Sequence, residues 1–359
     1  MDCIVYPCSN DIMPFIECVN SMEDELRITK AVCTEICKRT IHDTYSCEIV
    51  TDFDAALNEV ECAIIYDYVN IIYMYDDIIE KLTLALERGK CVLCYAALNP
   101  DDLESLKNLA EDHDTEFVYF GEIKLPEITE RTYEKQECVV VGIGKLFDGI
   151  NSDVIFCQIF KKFKAEGYNV IGISTSKNAE IMGCYTLPSS IFASVADESE
   201  KVLFLNSYIC DIELRHCPDI ILLQFPGGMS MLSEDMGEDF NIRSYTLSRA
   251  VSVDYFVLAI PVYVSAPENL TEYSIEYRYK YGFNIDAFAI SNSEIDLNVT
   301  FVSNKVELQS TLDKDIESYQ DECIEKCDKF IFCNVHSDDD YDMLVQNCIE
   351  TLSGNIEVI

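Results

Sequence analysis

Short apolar runs alternate with amphipathic stretches along almost the whole chain, and this alternation restricts the fold more than any other feature. An apolar run of about four to eight residues between polar turns suits a strand buried on both faces. Strands joined through helices run parallel, so the pattern predicts parallel sheets with helices packed on their faces. In residues 1–125 the strand runs are 3-CIVYP-7, 61-ECAIIYD-67, 90-KCVLCYA-96 and 116-EFVYFG-121. Helical patterns occupy 54–60, 76–90 and 100–114. The second opens on Asp76 and Asp77 and stops at Gly89, and the third opens on Pro100, all favourable terminus chemistry.

The polar stretch 122-EIKLPEITERTYEKQE-137 interrupts the pattern and contains Pro126, so 126–137 reads as a linker. A second series follows, with strands expected at 138–143, 169–174, 219–225, 254–260, 286–291, 299–303 and 329–335. Helices are expected at 152–167, 189–214, 243–252 and 338–354. The chain is therefore expected to be α/β with two domains, 1–125 and 138–359. The first has a Rossmann-like parallel sheet, but 7-PCSNDIMPF-15 follows its first strand where a dinucleotide fold has GxGxxG. A bound dinucleotide does not follow from that shape alone.

The second series begins with 141-VGIGKLFDGINSDVIFCQIFKKFKAEGYNVIGIS-174. Strand, glycine-containing loop and long amphipathic helix form the setting of a phosphate loop, whose backbone N–H groups meet phosphate at a helix N-terminus. The template G-x-x-x-x-G-K-[ST] falls on Gly144 and Gly149, but Ile150 and Asn151 stand where Lys and Ser or Thr should be. Lys145 and Ser152 are displaced substitutes, while Asp148 places a repelling charge inside the loop. A second landmark, 218-PDIILLQFPGG-228, has the form of the metal-side strand of such ATPases. Gln224 stands near its end, where a carboxylate is expected, and a neutral amide is a poor metal ligand. The second domain is thus expected to be P-loop-NTPase-like and degenerate. Its candidate ligand-facing residues are Gly142, Gly144, Lys145, Gly149, Asn151, Ser152, Asp219, Gln224, Gly227 and Gly228.

Net charge excludes one class of partner. With 65 acidic and 26 basic side chains the chain carries −39, a field that repels nucleic acid and anionic lipid. No apolar run reaches the ~20 residues of a bilayer span, and 1-MDCIVYPCSNDIMPF-15 lacks the form of a signal peptide, so a cytoplasmic location is expected. In that compartment the 18 cysteines read as thiols, most of them small buried hydrophobes within strands or helices. The close pairs Cys33/Cys37, Cys91/Cys94 and Cys323/Cys327 lack a partner pair at metal-site spacing. No metal is expected. The four histidines, His42, His113, His216 and His336, form no catalytic constellation with Ser, Cys or Asp motifs.

The stretches 138–174 and 217–261, together with 3-CIVYPCSND-11 and 282-GFNIDAFAISNS-293, resemble a family of clostridial peptide maturation system proteins. These are encoded beside radical-SAM maturases of Cys-rich ribosomal peptides in natural-product clusters. The second half is more distantly similar to dethiobiotin synthetase-like ATPases. The resemblance implies a non-catalytic accessory protein that binds a precursor peptide or its radical-SAM maturase and uses no cofactor. The alternative is a nucleotide-dependent ATPase or ligase using ATP and Mg²⁺ through Lys145, Asn151, Ser152 and Asp219. A third reading is a thiol or iron–sulfur carrier.

Overall fold

The computed structural model describes residues 1–9, 11–22, 26–33, 46–66, 71–121, 133–232, 240–303 and 305–354. The chain is α/β, with two parallel-stranded sheets and interleaved helices. It divides into two units, Met1–Lys124 with Lys177–Gly183, and Leu125–Ser176 with Cys184–Ile359. The short segment Lys177–Gly183 corrects the expected division, which placed it in the second domain. Its 3-10 helix, Lys177–Met182, buries Ala179, Ile181 and Met182, and packs in the first unit. Residues 126–132 of the expected linker lie outside the described residues.

The first unit is built in chain order from β1 (Asp2–Tyr6), α1 (Met13–Ser21), β2 (Arg27–Val32), β3 (Glu48–Val50), α2 (Phe53–Leu57), β4 (Cys62–Ile65), α3 (Ile71–Glu87), β5 (Cys91–Cys94), α4 (Pro100–Asp112) and β6 (Phe117–Tyr119). Its parallel sheet has the order β3-β2-β1-β4-β5-β6. This is the strand order of a dinucleotide-binding fold, with the direction of winding reversing between β1 and β4. The core beneath it joins Ile4, Ala63, Ile65 and Val92 of the strands to Ile78, Leu82 and Leu86 of α3. Asp52 and Asn99 accept the N–H groups of Ala55 and Asp102 at the starts of α2 and α4. The loop after β1 carries no glycine, and Ile12, Met13 and Phe15 point into the core.

In-register pairing sets Cys3, Cys62 and Cys91 side by side across β1, β4 and β5. Hydrogen bonding to Cys3 and Cys91, with burial, pushes the Cys62 thiol upward. On β5, Cys91 is partly exposed and Cys94 buried, as alternating strand faces require. Burial also pushes the Cys323 thiol up to about 12. Cys3, Cys62, Cys94 and Cys323 are all buried. Among the described residues no group of three or more His, Cys, Asp or Glu is placed to hold a metal ion. Cys37 and His42 lie outside those residues.

The second unit comprises β7 (Val139–Lys145), α5 (Asp153–Ala165), β8 (Val170–Ser174), β9 (Tyr185–Thr186), α6 (Ser190–Ala193), α7 (Glu198–His216), β10 (Ile220–Gly228), α8 (Ile242–Ala250), β11 (Tyr255–Ile260), α9 (Leu270–Lys280), β12 (Ala287–Ile290), β13 (Ser293–Ile295), α10 (Leu297–Ser303), β14 (Leu308–Ser310), α11 (Asp313–Lys326), β15 (Ile331–Asn334) and α12 (Asp338–Gly354). Its seven-stranded sheet runs β15-β12-β11-β7-β10-β8-β9, and every pairing is parallel. β13 and β14 form a separate antiparallel pair.

Two expected elements are corrected. The single helix at 189–214 breaks into α6 and α7, because Ser194 is extended and Asp197 caps a new helix by accepting the Glu200 N–H. The strand expected at 299-VTFVS-303 is the helix α10. Asp296 accepts the Val299 N–H with its side chain and the Thr300 N–H with its carbonyl, and this start signal overrides the β-propensity of the residues that follow.

Candidate functional site

β7 lies at the centre of the second sheet, between β10 and β11, and its carboxyl end delivers the chain into the loop 146–152. The loop is packed by its own residues and bonded to its neighbours. The strand continues through Lys145, one residue past the first template glycine, and Leu146 N–H donates to the Ala259 carbonyl at 2.8 Å. The Leu146 carbonyl accepts from Ser230 N–H at 2.9 Å, and the Lys145 carbonyl from Met229 N–H at 3.0 Å. Leu146, Phe147 and Ile150 are buried. The Lys145 ammonium, the one cation that the sequence offered, pairs with Asp148 at 3.3 Å. Leu308 of β14 lies 3.4 Å from where a Cβ on Gly149 would stand, so a side chain covers the second template glycine.

The glycines serve packing. A Cβ on Gly228 would stand 2.8 Å from the Asp148 amide nitrogen and 3.1 Å from two Phe147 backbone atoms, so the turn after β10 and the loop touch main chain to main chain. A Cβ on Gly144 would meet Met229 Sδ first and then the Phe256 ring at 2.6 Å. Gly142 lies two residues earlier in β7, against the same ring. The turn is fixed on its other side. Tyr281 Oη and Ser244 Oγ donate to the carbonyls of Met229 and Pro226, each at 2.5 Å, and the Asn241 amide donates to the Gly228 carbonyl at 2.9 Å. Gly227 has φ of +71°, which favours glycine.

Gln224 is buried, and both ends of its amide are engaged. Its Oε1 accepts from Ser174 Oγ at 2.6 Å, Thr175 N–H at 3.0 Å and Thr175 Oγ1 at 3.0 Å. Its Nε2 donates to Ser152 Oγ at 2.8 Å and Asp153 Oδ1 at 2.7 Å. One neutral side chain thus ties the ends of β8 and β10 to the start of α5. Asn151 completes that start by accepting the Asp153 N–H at 3.0 Å. The structure brings Ser152 and Gln224 together, as partners of each other. Ser174, Thr175, Asp153 and Leu308 belong to the same assembly and were not expected from sequence. The signal for two of them was the polar run 174-STS-176 at a strand end.

Asp219 is elsewhere, at the amino end of β10. Its Oδ2 accepts Asn169 N–H at 2.9 Å while its own N–H donates to the Asn169 carbonyl at 2.9 Å. The same reciprocal pair recurs twice. Asp254 holds Val140 and Asp286 holds Phe256, each Asp standing immediately before its strand. The repeated signal is legible as 218-PDIILL, 253-VDYFVL and 285-IDAFAI. Asp219 is therefore one of three clasps along the amino edge of the sheet, at the opposite end of the strands from the loop 146–152, which corrects its expected place among the ligand-facing residues.

The third clasp titrates unusually. Burial pushes the Asp286 carboxyl up to about 6, against the Phe256 N–H, which pulls it down. An unfolded Asp titrates near about 3.9. Between these values the folded state binds more protons, so the contribution to stability is full below about pH 4 and is lost as pH rises through about 6. Asp286→Asn keeps the carbonyl acceptor and removes the titration. From pH 4 to 7 the wild type should lose on the order of 2–3 kcal/mol relative to this variant in urea unfolding.

No family model matches the chain, and no curated protein does. Among solved structures it is similar to a DUF1611 family protein from Anabaena variabilis ATCC 29413, with 12% identity and a TM-score of 0.57 over 96% of this chain and 99% of that one. That likeness shows the fold over nearly the full length of both chains. A match to chloroplast FtsY from Physcomitrella patens has 13% identity and a TM-score of 0.30, covering 66% of this chain and 76% of that one, and carries no weight. Among the described residues no helix is long and apolar enough to cross a membrane.

Proposed function

We propose that the protein is a non-catalytic accessory protein of a ribosomal peptide maturation system, binding the precursor peptide or its radical-SAM maturase in the cytoplasm. The observation that carries this reading is the self-filled loop. Leu146 and Phe147 are buried where a phosphate loop leaves room for its anion, and Lys145 is paired with Asp148. Gln224, in the metal-side position, is committed to Ser174, Thr175, Ser152 and Asp153. A scaffold with both charge positions turned inward retains its surfaces for binding. The sequence resemblance supplies the biological setting, and the charge of −39 disfavours nucleic acid as the partner.

Co-purification of the full chain with the maturase and precursor encoded beside it tests the proposal, with a stable complex at micromolar concentration as the expected result. Absence of association with either overturns it. The nucleotide-dependent alternative is tested by melting the protein with millimolar ATP and Mg²⁺. A ligand at a hundred times its Kd adds about 2.7 kcal/mol to stability, so genuine binding would raise Tm. The expected result is no shift.

A further inference from the structure

α10 breaks the usual rule of helix burial. Its seven residues are LNVTFVS, and the apolar ones face solvent: Leu297 is 53% exposed, Val299 46%, Phe301 68% and Val302 87%. Only the polar Thr300 is buried, and its Oγ1 accepts the Glu307 N–H at 3.0 Å. A helix this short is marginal on its own and ordinarily gains its stability by burying an apolar face. Val and Phe are also among the weaker helix formers. Local hydrogen bonds hold this one: the Asp296 cap at its start, the Thr300 bond to Glu307, and the Asp296 N–H donating to the Glu307 carbonyl at 2.9 Å. Apolar side chains placed where they add nothing to the fold mark a contact surface.

Charge decides what kind of surface this is. The flap Ser293–Ser310 carries Glu294, Asp296 and Glu307 against one cation, Lys305, on a chain of net charge −39. A second copy brings the same charge to the same face, and an anionic bilayer is repelled likewise. An apolar patch with an acidic rim complements a segment that carries apolar side chains and positive charge together. We infer that α10 is the docking element for a cationic, apolar peptide segment of the partner. This deepens the accessory reading and rests on it. Leu308 of the same flap lies over Gly149, so the element that covers the old phosphate loop also carries the proposed contact.

The test uses the full chain and a fluorescein-labelled helical peptide of alternating Leu and Lys faces, read by anisotropy, with a Leu/Glu peptide as the control. The expected result is salt-sensitive binding of the Leu/Lys peptide only. Phe301→Ser/Val302→Ser removes the apolar contact without adding charge and should weaken it at least tenfold with Tm unchanged, since both side chains are exposed. Glu294→Gln should weaken it by about threefold and flatten its salt dependence. Several outcomes overturn the inference: equal binding to wild type and the double Ser variant, equal binding of the Leu/Glu peptide, preference for anionic phosphatidylglycerol vesicles, or a dimer abolished by the double Ser variant. Maturase or precursor captured equally by wild type and the double Ser variant overturns the flap assignment and leaves the accessory reading standing. Failure of both to bind wild type overturns the accessory reading, while the peptide arm still tests the surface.

Discussion

Gln224→Glu will destabilise the second unit by about 3–5 kcal/mol at pH 7 and will not create a metal-dependent nucleotide site. The substitution supplies an acidic residue near this strand end, where the sequence pattern of P-loop ATPases has one. It also removes both donors that reach Ser152 Oγ and Asp153 Oδ1, and sets a second carboxyl group 2.7 Å from the first in a buried position. Leaving buried charge without a partner costs several kcal/mol, and one broken hydrogen-bond network adds to that. The new carboxyl can relieve the conflict by holding a proton, so the loss should shrink at pH 5. Urea unfolding at the two pH values measures this, and calorimetry with ATP and Mg²⁺ should give no binding heat. Wild-type stability in the Glu variant would show that Gln224 is not the tie described above.

The second large effect is expected at Phe256. This ring is buried among Phe225, Phe283 and Tyr277, with centroid separations of 5.5, 4.5 and 6.1 Å. It also lies against the space in which a Cβ on Gly142 would stand, 2.7 Å away and nearer than any other side chain. Phe256→Ala should cost about 3–5 kcal/mol through lost burial and the cavity left behind. Gly142→Ala should be destabilising in the wild type, where the added methyl meets the ring. In the Phe256→Ala background much of that penalty should vanish, because the obstructing ring is gone. A double-mutant cycle by denaturant unfolding reads this coupling directly. Additive losses would show that Gly142 is glycine for a reason other than Phe256.

The parts of the fold legible in sequence were those whose local chemistry agreed with their environment. The aspartates that open 338-DDDYDMLVQNC and the buried run 138-CVVVGI both led to elements that the structure contains. Strand β2 is not legible because Lys30 interrupts its apolar pattern, a charge compensated by Glu48 and Glu59. Helix α9 is not legible because it buries Leu270, Ser274 and Tyr277, which do not read as an apolar stripe. At the candidate site the positions of Gly144, Gly149, Gln224, Gly227 and Gly228 were legible, but their use was not. A glycine that lets backbone approach a phosphate and one that lets backbone approach Phe147 look the same in a sequence. Distinguishing them takes the partner surface, which comes from residues about eighty positions or more away.

The excursion of Lys177–Gly183 into the first unit means that the chain passes between the two units at three places, 124/125, 176/177 and 183/184. No single cut therefore yields both halves whole. A fragment ending at residue 125 lacks a piece of its own interior, and one beginning at residue 138 carries Ala179, Ile181 and Met182 away from their seats. During synthesis the first unit is complete only once residue 183 has been made, by which time β7, α5 and β8 have already been made. The order of completion thus departs from the order of translation.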